Sequence, residues 1–355
     1  MFWKTFRRAT LFWTFVLLAA YLVYIYPIQR LTGWLNYPAL LNLSTIVGLW
    51  MFTTGILWLS FKSSSRLLEL ILYNWMGIGF VFFSLCFVYD LLRLGLSLDD
   101  YWAAVSILLA GSGVVIYAFA TAQRLSCKPL EFHDSRLARK YRLVQISDVH
   151  LGSRSVRFLR HVVDTINAQE PDIVVITGDF LDARRVTAKD LAPLKDLRAP
   201  VYFSIGNHER YAGLEWVVPM LEDADVVMLR SQTVRIGELQ LIGIDDAESE
   251  DQVKRELAKI ELDPQCFKIL LYHRPLGWDD AVASDINLML CGHTHNGQIF
   301  PFHWLVRQQF KRIHGLHTQG NCHLYVSPGT GTWGPAMRLG SRNEVTCIDL
   351  SAETP

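Results

Sequence analysis

No histidine stands before residue 133, although eleven occur from there on. The first 122 residues are equally poor in charge, with seven Lys or Arg and four Asp or Glu. Metal or acid–base chemistry therefore has its candidates in the later part of the chain. None of the six cysteines (Cys86, Cys127, Cys266, Cys291, Cys322, Cys347) forms a C-x-x-C pair. That absence removes cysteine-type zinc ribbons and dithiol redox motifs, and reads as reduced thiols acting as small hydrophobes in a cytoplasmic domain. Charge of one sign is not in excess, with 34 basic against 34 acidic residues. A near-neutral balance argues against duplex nucleic acid as a partner, which demands a basic surface. There is no internal repeat and no low-complexity tract.

What the chain has instead is apolar length. Its hydrophobic fraction is 51% and its mean hydropathy +0.20. The excess falls in four stretches, residues 11–27, 39–61, 67–92 and 101–122, each near the roughly 20 residues a helix needs to cross a bilayer. Trp13, Tyr26, Trp34, Trp58, Tyr101 and Trp102 flank them as interfacial anchors do. The third carries Asn74 and ends near Asp90, so its limits are the least defined. Lys4, Arg7 and Arg8, then Lys62 and Arg66, then Arg124, Lys128, Arg136, Arg139 and Lys140 mark one side, against only Arg30 and Arg93 on the other. The expectation is four spans with both ends in the cytoplasm. Arg7-Arg8 also has the look of a twin-arginine export signal, but no small-x-small cleavage site follows and three more apolar stretches do. No span carries charge at its centre, which favours an anchor or lipid-facing platform over a transporter. Residues 123–140 read as a basic linker at the membrane surface.

From Tyr141 the pattern becomes strand and helix. Strands are predicted at residues 143–147, 173–177, 201–205, 226–229, 239–244, 268–272, 286–290, 324–327 and 345–348, with amphipathic helices over 155–169, 188–197, 214–222 and 250–260. The early alternation predicts parallel pairing, and the strand-rich later part predicts more antiparallel pairing.

Short polar motifs follow the apolar runs: Asp148-Val149-His150, Gly178-Asp179, Gly206-Asn207-His208-Glu209, an isolated His273, and Gly292-His293-Thr294-His295. Carboxylate, amide oxygen and imidazole delivered from several strand ends form a donor set for two divalent ions. Asp179 has two oxygens and could give one to each ion. Manganese is the first expectation, with iron, zinc or cobalt as other ions such donors take. His208, beside a ligand, suits proton transfer near neutral pH.

The ordered set D-x-H, G-D, G-N-H-E, H and G-H-T-H resembles the calcineurin-like metallophosphoesterases over roughly residues 141–350. The resemblance implies an αββα sandwich of class α/β over 141–355, following a helical membrane domain over 1–122. It implies one ion on Asp148, His150, Asp179 and His295, and a second on Asp179, Asn207, His273 and His293. His208 would touch the phosphate and assist the leaving oxygen, with Glu209 at the position that orients it. The stretches 292–298, 320–327, 329–333 and 338–344 resemble more narrowly the YkuE/YaeI-like branch, which includes membrane-associated bacterial enzymes. Some of these are linked to cleavage of UDP-2,3-diacylglucosamine in lipid A synthesis. One departure is Asn296, where the family usually has glycine after G-H-T-H.

The expected function is thus hydrolysis of a phosphoester or pyrophosphate bond, on a lipid-linked substrate such as UDP-2,3-diacylglucosamine, at the inner membrane. A generic or soluble-nucleotide phosphodiesterase, and a non-catalytic membrane sensor or scaffold, stand as alternatives. Arg274, next to His273, is a candidate substrate contact. Arg184 and Arg185 read as phosphate contacts or a solvated loop, and Arg338 and Arg342 as diphosphate ligands or partners of Glu344. Residues 302–317 mix Trp304, Leu305 and Phe310 with Arg307, Lys311 and Arg312. That mixture fits a membrane surface or acyl-bearing substrate, or equally a loop covering the sheet edge.

Overall fold

In the computed structural model, residues 14, 16–37, 42–62, 65–182 and 185–352 are described. The chain divides into two compact units: Met1–Phe119 with Gly334–Met337, and Ala120–Trp333 with Arg338–Pro355.

The first unit is helical. Its elements are α1 (Val16–Trp34), α2 (Leu43–Lys62), α3 (Arg66–Leu92) and α4 (Asp100–Thr121). Three of them, α1, α3 and α4, are long and apolar enough to cross a membrane. In α2 the apolar stretch is the shorter Leu43–Ile56. The first and second predicted spans begin partly outside the described residues. Ala20, Tyr24 and Ile25 of α1 pack with Ile46, Leu49, Trp50 and Met76. Gly79 lets α3 close on α1, since a Cβ there would lie 2.2 Å from the Val23 carbonyl oxygen. Asn74 has a partner: its Oδ1 accepts the N–H of Ala336 at 2.9 Å. Arg30 pairs with Asp90 at 2.7 Å and Arg93 with Asp100 at 3.0 Å, so the two basic residues assigned to the far side are each neutralised by an acid.

The second unit holds two six-stranded sheets. One runs β1 (Leu125–His133), β12 (Asn343–Ser351), β2 (Tyr141–Ile146), β3 (Ile173–Thr177), β4 (Val201–Ser204), β5 (Val226–Met228). The other runs β10 (Gly315–Gln319), β11 (Cys322–Val326), β9 (Leu288–Cys291), β8 (Phe267–Tyr272), β7 (Leu239–Ile244), β6 (Gln232–Ile236). Strands buried on both faces are continuously apolar, as Ile173–Thr177 shows. Along β3 the period of two sends Ile173 and Val175 into a core shared with Leu241, Ile269, Leu271 and Leu290 of the other sheet. Val174 and Ile176 point the opposite way, against Leu159, Val162 and Ile166 of α5 (Val156–Asn167) and Val217 and Leu221 of α6 (Leu214–Glu222). On the second sheet Ile242, Leu270 and Met289 pack with Val253 and Leu257 of α7 (Gln252–Leu257) and Trp278 of α8 (Trp278–Ala283). The unit is therefore layered helix, sheet, sheet, helix.

Several sequence expectations give way. Residues 123–140 are not merely a linker, because β1 pairs in parallel with β12 from Leu125↔Asn343 to His133↔Ser351. The helix predicted over 188–197 is a single 3-10 turn, Ala192–Asp196, with Pro193 in its first turn. The expectation of more antiparallel pairing later in the chain holds, since β6 with β7, β10 with β11 and β12 with β2 are antiparallel, although β7, β8, β9 and β11 form a parallel centre.

Candidate metal centre

The parallel registers of β2, β3 and β4 bring their carboxyl ends level, and the polar motifs begin where these strands end. Asp148 and His150 follow β2, and Asp179 follows β3. Asn207 and His208 open the short helix Asn207–Ala212 after β4. His273 follows β8, while His293 and His295 follow β9. Glycine permits the approach. A Cβ on Gly292 would meet Ser147 Oγ at 2.0 Å and Asp148 Oδ2 at 2.2 Å, and one on Gly206 would meet Asp179 Oδ1 at 2.2 Å. Asp148, His150, Asp179, His293 and His295 themselves have positive φ, from 49° to 71°. Such backbone is uncommon outside glycine and concentrates at functional sites.

Two donor clusters result: Asp148 with His150 and His295, and Asp179 with His273 and His293. His150 Nε2 faces His295 Nε2 at 3.1 Å, and His295 Nε2 lies 3.4 Å from Asp148 Oδ1. His273 Nε2 lies 3.1 Å from His293 Nδ1 and 3.0 Å from Asp179 Oδ2. Donors sharing one cation at about 2.1 Å stand roughly 3.0 to 3.4 Å apart for octahedral and tetrahedral angles. The clusters match that spacing. Asn207 Oδ1 is buried without a hydrogen bond, as is Nδ1 of His150. An amide oxygen left so would cost free energy unless a cation takes it. All seven predicted donors thus gather at one end of the sheets, and they fit a pair of divalent ions.

The side chains around the donors fix their orientation. Asp148 Oδ2 accepts from Ser147 Oγ at 2.6 Å, and the Asp148 carboxylate also takes the N–H of His293. The Nδ1 of His273 bonds the Thr177 carbonyl at 2.8 Å, which turns Nε2 to the cluster. Asp182 Oδ2 stands 3.6 Å from His150 Nδ1. Asp179 Oδ1 is already engaged by the N–H of His208 at 2.8 Å, so Oδ2 is the oxygen turned to the imidazoles.

Electrostatics follow from packing these groups away from water. Burial raises Asp148 to about 6. Burial alone would raise Asp179 as well, but His273, His208 and His150 together hold it well below the usual carboxylate range. Burial would lower His273, yet the Asp179 and Asp148 carboxylates carry it up to about 10. Burial takes His293 down to about 3, with the positive His273 beside it adding to the effect.

Glu209 departs from its expected role. It makes no hydrogen bond to His208 among the described residues. Its carboxylate accepts four backbone N–H groups, from Asp179, Phe180, Leu181 and Gly206. Burial and the nearby Asp179 carboxylate push it up to about 7. His208 is walled instead by the rings of His150 at 4.8 Å, Tyr211 at 5.5 Å and Trp333 at 6.1 Å, with Nε2 4.0 Å from Asp179 Oδ2.

The arginines separate by burial. Arg338 is fully buried, and its guanidinium bonds the carbonyls of Pro328, Gly331 and His295 and the side chain of Asn343. It holds the loop beneath His295 and has no donor to spend on a diphosphate. Arg342 is exposed, Arg185 bonds the Gly152 carbonyl, and Arg184 lies outside the described residues. Arg274 Nε is tied to Asp246 Oδ1 at 2.7 Å, beside His273. Asn296 has φ 49° and ψ 38°, the left-handed conformation that glycine and asparagine adopt most readily. The departure from the expected glycine therefore keeps the loop's backbone. Neither Asp182 nor Arg338 stands in a motif that marks it as a support of His150 or His295. Only the place of Asp182 three residues after Asp179 hints at its role.

Residues 141–297 match the family described as calcineurin-like phosphoesterase. A metallophosphoesterase of Aquifex aeolicus is 31% identical over 60% of this chain and 85% of its own length. One of Campylobacter jejuni is 34% identical over 64% of this chain and 63% of its own. A "transmembrane protein with metallophosphoesterase domain" of Bos taurus is 36% identical over 59% of this chain and 53% of its own. The chain thus spans less than two thirds of the Campylobacter and cattle relatives.

Proposed function

The chain belongs to the calcineurin-like metallophosphoesterases, and on that premise we propose that it is a membrane-anchored, dinuclear-metal phosphohydrolase acting on a lipid-linked phosphate or diphosphate. The observation that carries the hydrolase reading is the pair of donor clusters, each with two imidazole nitrogens 3.1 Å apart and a buried carboxylate beside them, Asp148 in one and Asp179 in the other. Two divalent ions, manganese first, would supply an activated water and neutralise charge on the phosphoryl oxygens. Asp148, His150, Asp179 and His295 would hold one, and Asp179, Asn207, His273 and His293 the other.

The chain's own groups do the rest. His208, caged by His150, Tyr211 and Trp333, holds a proton toward the leaving oxygen. Burial lowers its pKa against the pull of Asp179. A phosphate dianion arriving beside it adds a second negative partner and favours the protonated imidazole. Arg274, aligned by Asp246, is the contact for a non-reacting phosphate oxygen.

The membrane reading is supported by three long apolar helices and by what they leave outside. Leu67, Leu109 and Ile116 are all at least 69% exposed, which lipid tolerates and water does not. The cattle relative is named for the same combination. The proposed location is the inner (plasma) membrane, multi-pass, with the catalytic unit in the cytoplasm. Within the YkuE/YaeI-like branch, UDP-2,3-diacylglucosamine is the first specific substrate to offer. A generic or soluble-nucleotide phosphodiesterase is the second reading, and the intact donor set weighs against a scaffold.

The test is hydrolysis by the detergent-purified chain with Mn²⁺. UDP-2,3-diacylglucosamine is set beside bis-p-nitrophenyl phosphate, with His208→Ala as control. Release of UMP from the lipid nucleotide is the expected result. Turnover of the generic diester alone would keep the metal chemistry and remove this substrate. No turnover of either with two metals bound would leave the scaffold reading.

A further inference from the structure

We propose that the segment Phe300–Arg312 of the catalytic unit is a contact surface for an anionic bilayer. The segment contains a short helix, α9 (His303–Gln309), none of whose residues is buried. A helix that covered a sheet edge would bury one face, and this one does not. Its apolar side chains face outward: Phe300 is 47% exposed, Phe302 45%, Trp304 59% and Leu305 63%. Phe300, His303 and Trp304 are clustered ring on ring at 5.0 to 5.5 Å, so the aromatic group is held together rather than splayed.

The charge is of one sign. Arg307, Lys311 and Arg312 lie in or just after the helix, and among the described residues none forms an ion pair. No Asp or Glu occurs anywhere between Ile286 and Asn343. Aromatic residues next to unpaired cations, with no carboxylate near in sequence, complement the headgroup layer of an anionic membrane: rings at the acyl boundary, cations at phosphate. A protein partner of mixed charge would find no acceptors for its own cations here.

The surface is tied to the metal centre. Phe310, which ends the helix, is buried and sets its ring 5.3 Å from that of His293. Thr294, between the two ligands of its motif, donates to the Ile313 carbonyl at 2.6 Å. A headgroup plane under α9 would therefore present phosphates close to the ligands on that loop. This rests on the membrane reading above only for the source of the bilayer.

The experiment uses the full chain in lipid nanodiscs, with Cys127, the exposed thiol, changed to Ser. A nitroxide is attached to Leu305→Cys, and collisions with oxygen and with an aqueous nickel chelate are measured. Discs of phosphatidylcholine with phosphatidylglycerol are compared with phosphatidylcholine alone. A label on Leu109→Cys in α4 reports the span separately. The expected result is at least a threefold preference for oxygen over nickel at 305 in the anionic discs. That preference should be lost in the triple variant Arg307→Gln, Lys311→Gln, Arg312→Gln. A lipid-facing label at 109 with a water-facing label at 305 would overturn the surface and leave the anchor. Water at both positions would sink the membrane reading and this one with it. Protection of 305 from both reagents would mean that protein covers the helix, and would also overturn the proposal.

Discussion

The carboxylate of Glu209 accepts the backbone N–H of Asp179 at 2.9 Å, and the same carboxylate returns to Gly206, the residue before Asn207. One buried side chain thereby fastens the loop carrying Asp179 to the loop carrying Asn207 and His208.

Glu209→Gln tests this. A glutamine keeps one acceptor oxygen but turns an NH₂ toward two N–H groups. An orphaned buried donor costs about 1–3 kcal/mol. A lower unfolding temperature and at least tenfold weaker Mn²⁺ binding by titration calorimetry are expected. Unchanged metal affinity would mean that the two loops hold their positions without the carboxylate.

The roles of Asp179 and His208 separate by metal content. Asp179→Ala removes the carboxylate proposed to serve both ions, and elemental analysis should find fewer than two metals per chain. His208→Ala should keep both metals yet turn over about 10²- to 10⁴-fold more slowly, the range for loss of a positioned acid. Loss of metal in His208→Ala would reassign it as a ligand.

Asn296 offers a backbone test. Asn296→Gly should leave stability and activity within about twofold, since both residues adopt its φ of 49°. Asn296→Val should cost about 1–2 kcal/mol, because a β-branched residue resists the left-handed region. Thermal denaturation in detergent with bound Mn²⁺ compares the two.

In the helical unit, Gly79→Val would drive a side chain into the Val23 carbonyl. Overpacking of this kind costs about 1–3 kcal/mol. The expected outcome is a chain that leaves detergent as aggregate earlier on heating, while Gly48→Val, with nothing within 4 Å of its Cβ, behaves as the parent does.

The donors were legible because each sits at the end of a buried strand, where a run of β-branched residues stops at a polar motif. Parallel sheets expose their carboxyl ends in common, so strand ends far apart in sequence meet. The strands that carry no sequence signal are edges. β1 contains Pro129, Lys128 and Glu131 and alternates only weakly, and β10 carries Gly315, His317, Thr318 and Gln319. Edge strands need little apolar surface, so periodicity does not announce them. Glu209 and Arg338 are illegible for a different reason: their partners are mostly backbone groups, which leave no trace in side-chain spacing.

The pairing of β1 with β12 has a consequence for how the molecule is made. Ser126 donates to the carbonyl of Asn343, 217 positions further along the chain, and among the described residues β12 is the only strand that pairs with β1. While the ribosome works through everything between them, β1 waits with both edges bare. β2 likewise lacks one of its two flanks. The sheet beneath the metal centre is thus completed late in synthesis, when β12 slides between two strands made long before it. A substitution that slows the arrival of β12 would act on yield rather than on the finished molecule.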